Sequence, residues 1–241
     1  MHSKTFRLFI SSTFSDFNEE RRLLQNYVFP EIKKYATSKG FTFQPIDLRW
    51  GVSNEAQLDQ KTLELCINEV KSSKTNLHPN FLIMAGDRYG WVSCPYLIKK
   101  SEFEKILEYV EFNNSDIEIE YWSYKDKDGN TQQTAKRTVS KLDLLSQWYQ
   151  LDYNQLPASY ILQERTDIYE IYENWGSEEN CLRDILQTAA NNIDLSNEDK
   201  KKYFTSATES EVIDGIFKYL NPTSHQTKLK ESNPDYEEDD F

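Results

Sequence analysis

The chain has 241 residues, with 40 Asp and Glu against 28 Lys and Arg, a net charge of −12 and a pI near 4.8. That acidity argues against direct nucleic-acid contact or an anionic membrane face, which need clustered Lys and Arg; Lys200 to Lys202 is too short a basic run to supply one. Cys66, Cys94 and Cys181 fall at no regular spacing and the three histidines are scattered, so neither a disulfide framework nor a metal site is expected.

The amino terminus, MHSKTFRLF, is too poor in apolar residues for a signal peptide, and no uncharged run is long enough to cross a bilayer. A soluble cytoplasmic protein is expected, and 241 residues read most naturally as one domain with an insertion. Phe6 to Ser12, FRLFISS, is a short apolar run ending in hydroxyl residues and opening into DFNEERRLL, the pattern of a first strand in an α/β sheet. Thr13, Ser15 or Asp16 is placed to cap the helix that follows to about Ser38, with Pro30 bending or interrupting it. Phe41 to Leu48 is the second strand, whose Pro45 fits best at a sheet edge. A helix over Gln57 to Ser73 precedes Pro79, and the third strand is Phe81 to Ala85. Strand and helix alternating at this spacing predict parallel βαβ units.

The regularity then breaks. Ser101 to Phe112 is amphipathic and helical, Asp116 to Thr134 reads as a hairpin turning at KDGN, and helices are expected at about Val139 to Tyr149 and Asn180 to Ile193. LDYNQLPASYIL between them reads as an ordered loop because of its Asn, Pro and Ser. Residues 94–204 are thus expected to form a long, mostly helical insertion after the third strand. A last helix, Ala207 to Leu220, is expected to bury Val212, Ile213, Ile216, Phe217 and Leu220. Residues 221–241 lose apolar periodicity and end in PDYEEDDF, an acidic tail or linker.

No GxxxxGK loop, GxGxxG turn or HExxH is present. Four stretches carry candidate chemistry, each with a plain structural alternative. Ser11, Ser12 and Thr13 either hold a phosphate or ribose oxygen or cap the helix. In DLRWGVS, Arg49 can fork onto an anion and Trp50 can stack on a flat ring; alternatively Asp47 and Arg49 pair and brace the loop. GDRYGW repeats the acid, arginine, aromatic, glycine order with Asp87, Arg88 and Tyr89. In SATESEV, Glu209 and Glu211 either serve the helix dipole or place a carboxylate beside a reacting ribose carbon.

In combination FISSTFSDFNEER, PIDLRWGVS, CINEV, FLIMAGDRYGW, WYQLDYNQLPASYIL and SATESEV resemble the TIR-like domain at the amino terminus of NACHT and WD-repeat (STAND-type) proteins. That group includes telomerase-associated and nephrocystin-type proteins and bacterial antiviral NTPases. The resemblance spans about residues 5–220 and implies a flavodoxin-like parallel sheet flanked by helices. It implies cleavage of NAD+, as substrate and not as cofactor, at the nicotinamide–ribose bond. Glu209 would be the catalytic glutamate, with Glu211 and Glu102 as alternatives, and Ser11, Ser12, Arg49, Trp50, Asp87, Arg88 and Tyr89 would surround the dinucleotide. In shorter relatives the S-x-T-E-x-E helix closely follows the GxRYG strand; here it comes only after the insertion.

A complete TIR-like sheet needs further strands after the Glu209 helix, and residues 221–241 supply none. The chain is therefore expected to be the front of a longer NACHT-type chain, unless the Ile117 to Tyr124 hairpin completes the sheet. The partners implied are NAD+ or a related nucleotide, other domains of such a chain, and copies of itself when activated. The competing function is a binding module whose surface mediates assembly without catalysis.

Overall fold

A computed structural model describes residues 4–13, 16–48, 60–74, 77–121, 126–132 and 135–218. They fall into two compact units, one drawn from residues 4–48, 64–91 and 207–218, the other from 60–63 and 92–206.

The first unit is built on β1 (Thr5–Ser11), the centre of a parallel three-stranded sheet. On one side it pairs with β2 (Thr42–Ile46) from Thr5 opposite Thr42 to Phe9 opposite Ile46; on the other it pairs with β3 (Phe81–Ile83) from Phe9 to Ser11. Parallel pairing needs a crossover between strands, and each crossover here contains helix. α1 (Asn18–Leu23) and α2 (Phe29–Ser38) lie between β1 and β2, and α3 (Thr62–Lys74) between β2 and β3. Because alternate strand residues face opposite ways, Ile10 joins Phe29, Ala36 and Phe43 in one apolar cluster, while Arg7 points to α3 and meets Glu69 at 2.6 Å. Helices thus flank the sheet on both faces. Pro45, opposite Leu8, lies in an edge strand among the described residues, where its missing N–H is tolerated.

Pro30 interrupts the long helix as expected, and the form of the interruption is a π turn, Leu24–Val28, just before it. The Phe29 N–H reaches back five residues to the Leu24 carbonyl. The wider turn relieves the backbone where the proline ring would crowd a normal α-helical one. The helix start corrects the sequence expectation: neither Thr13 nor Asp16 caps it, and Ser15 lies outside the described residues. The N-cap is Phe17, in the left-handed region at φ 60°, with no side-chain cap.

The second unit opens with β4 (Leu97–Lys99) and α4 (Lys100–Phe112). β5 (Asp116–Tyr121) and β6 (Ala135–Ser140) form an antiparallel hairpin, and among the described residues they pair only with each other. The hairpin therefore does not complete the parallel sheet. Its second strand runs to Ser140, so the helix expected from Val139 starts instead as α5 (Lys141–Trp148), where Ser140 accepts the Asp143 N–H.

LDYNQLPASYIL is not a loop. Tyr149–Asp152 is β7 and Ser159–Leu162 is β8, paired antiparallel, with β8 also paired to β4. Asn154 and Pro157 mark only the turn, and the flanking aromatics build the core: Phe103 stacks on Tyr160 at 4.2 Å and meets Tyr149 at 5.2 Å. Two helices follow, α6 (Tyr172–Asn192) and α7 (Asn197–Phe204). α6 starts eight residues before the expected Asn180, running through Gly176, and α7, capped by Ser196, lay unmarked in the sequence expectation.

Glu178 of α6 is fully buried and accepts hydrogen bonds from Tyr121, from Trp148 Nε1 at 3.2 Å, from Tyr169 at 3.4 Å and from Arg137 at 3.1 Å. A buried acid with this many donors ties α6 to β5, β6 and α5. Removing it leaves the buried Tyr121 and Trp148 donors without their acceptor, so Glu178→Ala should destabilise the second unit by roughly 3 kcal/mol. Urea denaturation followed by tryptophan fluorescence checks this; an unchanged midpoint would contradict the assigned role.

Candidate functional site

In open parallel sheets ligands gather at the carboxyl ends of the strands. In the first unit that end is occupied by two linked polar clusters. Ser11, the last residue of β1, is fully buried, and its hydroxyl donates at 2.6 Å to Glu211 of α8 (Ala207–Val212). The Cys66 thiol of α3 also donates to Glu211. Next along the chain, Ser12 Oγ accepts from Arg21 Nη2 at 2.5 Å and Nε at 3.2 Å, and donates to the Thr13 carbonyl. Arg21 is only 2% exposed and its Nη1 is paired with Asp47, just beyond β2. One guanidinium therefore ties β1, α1 and the end of β2 together, using the planar fork that arginine provides.

A more exposed group surrounds this buried one. Thr13 Oγ1 donates at 2.6 Å to Asp16, whose other carboxyl oxygen lies 3.2 Å from Arg88 Nε. The Tyr89 phenol donates to Glu209, linking the loop after β3 to α8. Asp87, Arg88 and Tyr89 are exposed and Glu209 is half-buried. Gly86 permits the loop's close approach, since a Cβ there would lie 3.2 Å from the Phe17 ring.

The structure places the sequence candidates unequally. Ser11 and Ser12 lie at the expected strand end, but their hydroxyls are engaged by Glu211 and Arg21, so a ligand would have to displace protein partners to use them. Asp87, Arg88, Tyr89 and Glu209 share the exposed group. Arg49 and Trp50 lie outside the described residues. Glu102 belongs to the second unit, where Tyr203 and Lys202 each hold its carboxylate at 2.6 Å. Arg21 and Cys66 were not among the candidates. The signal for Arg21 was its spacing from Phe29 and Ala36, which puts it on the buried side of the helix.

α8 and the turn after it depart in part from the expected burial: Val212, Ile213 and Ile216 are half-buried. Glu211, Asp214 and Gly215 are buried while Phe217 is 52% exposed. Leu220 lies outside the described residues. A second π turn, Ile213–Phe217, changes the helical register, and Gly215 lets the backbone pass against Phe81. An added Cβ would lie 2.4 Å from that ring.

Burial pushes the Glu211 carboxyl up to about 7; the Asp47 charge also raises it, and the hydrogen bonds from Ser11 and Cys66 and the Arg21 charge hold it back. The Cys66 thiol is pushed up to about 12, by burial first and then by the Glu211 charge. It is thus a neutral donor, not a nucleophile. Among the described residues no group of three or more His, Cys, Asp or Glu could hold a metal ion, and no helix is long and apolar enough to cross a membrane.

The first unit is thus a parallel α/β unit with polar side chains gathered at its strand ends. Residues 7–175 match the family model described as a domain of unknown function, DUF4062, and the chain belongs to that family. It is 28% identical over 172 residues to mouse (Mus musculus) NACHT domain- and WD repeat-containing protein 1, covering 71% of this chain and 9% of that protein. It is 27% identical over 179 residues to human (Homo sapiens) NACHT and WD repeat domain-containing protein 2, covering 71% and 8%. Rat (Rattus norvegicus) telomerase protein component 1 is 38% identical over 93 residues, 39% of this chain and 3% of that protein. The chain thus spans less than a tenth of the length of these relatives. No solved structure matches it.

Two outcomes follow from α8. Glu211 binds its proton more tightly in the folded state, so its contribution to stability is complete below about pH 4.5 and is lost as pH rises to about 7. Wild-type stability should fall across that window relative to Glu211→Gln, by on the order of 3 kcal/mol; parallel melting curves at every pH would refute this. Gly215→Ala should cost about 1–3 kcal/mol through overpacking against Phe81, read by chemical denaturation.

Proposed function

We propose that this chain is a TIR-like effector domain of a NACHT-type protein, which cleaves NAD+ at the nicotinamide–ribose bond when copies are clustered. The observation that carries this reading is the Tyr89 to Glu209 hydrogen bond, which joins the GDRYGW loop to the SATESE helix at the carboxyl edge of a parallel sheet. Further support comes from the strand order β2-β1-β3, the order with which a flavodoxin-like sheet begins. In this reading residues 92–206 are an insertion into that fold, and the protein works in the cytoplasm.

Glu209, not Glu211, faces substrate. Its carboxylate is half-buried beside exposed groups, whereas Glu211 is 7% exposed and held by Ser11. The chemistry needed is modest. The bond from ribose C1′ to the pyridinium nitrogen breaks, nicotinamide leaves with the electron pair, and positive charge develops on the sugar. A carboxylate close to C1′ stabilises that charge. Water then bonds to C1′ and releases a proton. Arg88 would meet the pyrophosphate, and Tyr89 would present its ring to the dinucleotide while orienting Glu209.

The test is release of free nicotinamide from NAD+ by the protein clustered on a fused oligomerising domain. Glu209→Gln should lower the rate at least 100-fold. Absence of release from the clustered wild type, or equal release from the variant, would overturn the assignment. A second reading, a non-catalytic assembly module, is favoured by a different observation: large aromatic side chains stand in solvent on the helical face of the first unit, among them Tyr27 and Tyr35.

A further inference from the structure

α1, the π turn and α2 form a nearly continuous helical stretch whose inward side is fixed by Arg21, Phe29 and Ala36. Away from that side, Leu23, Tyr27, Val28, Ile32 and Tyr35 are all exposed, Tyr27 at 63% and Tyr35 at 67%. Scattered exposed apolar residues are ordinary, but five large ones within thirteen positions of one helical stretch form a contiguous strip. The strip has a charge at each end: Glu20 at the amino end and Lys39 at the carboxyl end.

The two ends are symmetric about the middle. Glu20 and Lys39 are equally far from the Phe29–Pro30 level, and Leu23 and Tyr35 are nearly so. A surface arranged in this way is complementary to itself when turned end over end. We propose that this strip is an isologous contact by which two copies of the chain pair, their helical stretches antiparallel across a two-fold axis near Pro30. Glu20 of one copy then faces Lys39 of the other, Leu23 faces Tyr35, and Tyr27 lies against Ile32 and Glu31, to which its phenol can donate. A parallel pairing would instead bring like charges together at both ends.

Only one helical face of about 30 Å takes part, by the rise of 1.5 Å per residue. Stable dimers bury about 800 Å² per partner, so contact through this strip alone is weak and depends on concentration. Such a contact suits a domain whose copies are brought together by other means. The inference deepens the assembly-module reading and stands whether or not Glu209 cleaves NAD+.

Sedimentation velocity on the 241-residue chain between about 1 and 300 μM tests it. The expected result is a monomer–dimer equilibrium that Tyr27→Asp weakens at least tenfold, with circular dichroism and thermal midpoint unchanged because the side chain is exposed. Glu20→Lys and Lys39→Glu should each weaken pairing, and the two together in one chain should restore it. A monomer at every concentration overturns the proposal. Dimerisation unaffected by Tyr27→Asp, or charge variants that do not rescue each other, overturns this surface while leaving the broader assembly reading standing.

Discussion

The first unit depends on a hydrogen bond between residues 200 positions apart, Ser11 to Glu211. β1 is the central strand, and α8 is tied to its carboxyl end by a buried acid. A buried carboxyl without donors would be costly, and here Ser11 and Cys66 supply them. Because α8 is held in this way, Glu209, two residues earlier, comes to Tyr89 in the loop after β3. The buried carboxyl sets the position, and the half-buried one accepts from Tyr89.

The Ser12, Arg21 and Asp47 cluster makes a parallel link on the other side of the strand end. Arg21 is nearly free of solvent contact, so its charge is compensated by Asp47 and its remaining donors by Ser12. The strand end is therefore cross-braced by side chains whose polar groups are already used. Among the described residues, the more exposed polar groups at this strand end are Asp87, Arg88, Tyr89 and Glu209. The long NACHT and WD-repeat relatives place the same family of domain within chains many times its length. There, this strand end and the helical face would be presented repeatedly if chains assemble.

Much of the scaffold was legible in the sequence. Three apolar runs, each followed by polar and small residues, gave the three parallel strands, because a strand covered on both faces is apolar nearly throughout. The β7–β8 hairpin was not legible: Asn154, Pro157 and Ser159 read as loop signals, yet Asn154 and Pro157 occupy only the turn and Ser159 already opens β8, while Tyr149, Tyr160 and Leu162 pack inward. The buried acids of α8 and the turn after it were hidden for a different reason. Glu211 and Asp214 look like surface residues until Ser11, Cys66 and Lys218 are seen beside them. Periodicity locates an apolar stripe, and it cannot anticipate a polar one that finds partners far away in the chain. Arg21 was missed for the same reason: its partner Asp47 lies far along the chain, and the sequence offered Asp47 only a neighbouring Arg49, as one of two alternatives.

The first unit is discontinuous in sequence while the second is almost wholly continuous, and this sets an order of events during synthesis. Ser11 leaves the ribosome long before the helix that satisfies it, an interval of roughly 10–40 s at ordinary elongation rates. Every residue of the second unit is synthesised before Ala207, so that unit is free to fold meanwhile. Until that helix arrives, the Ser11 hydroxyl at the end of β1 lacks its acid, so the nascent chain passes through a state that the finished protein never shows.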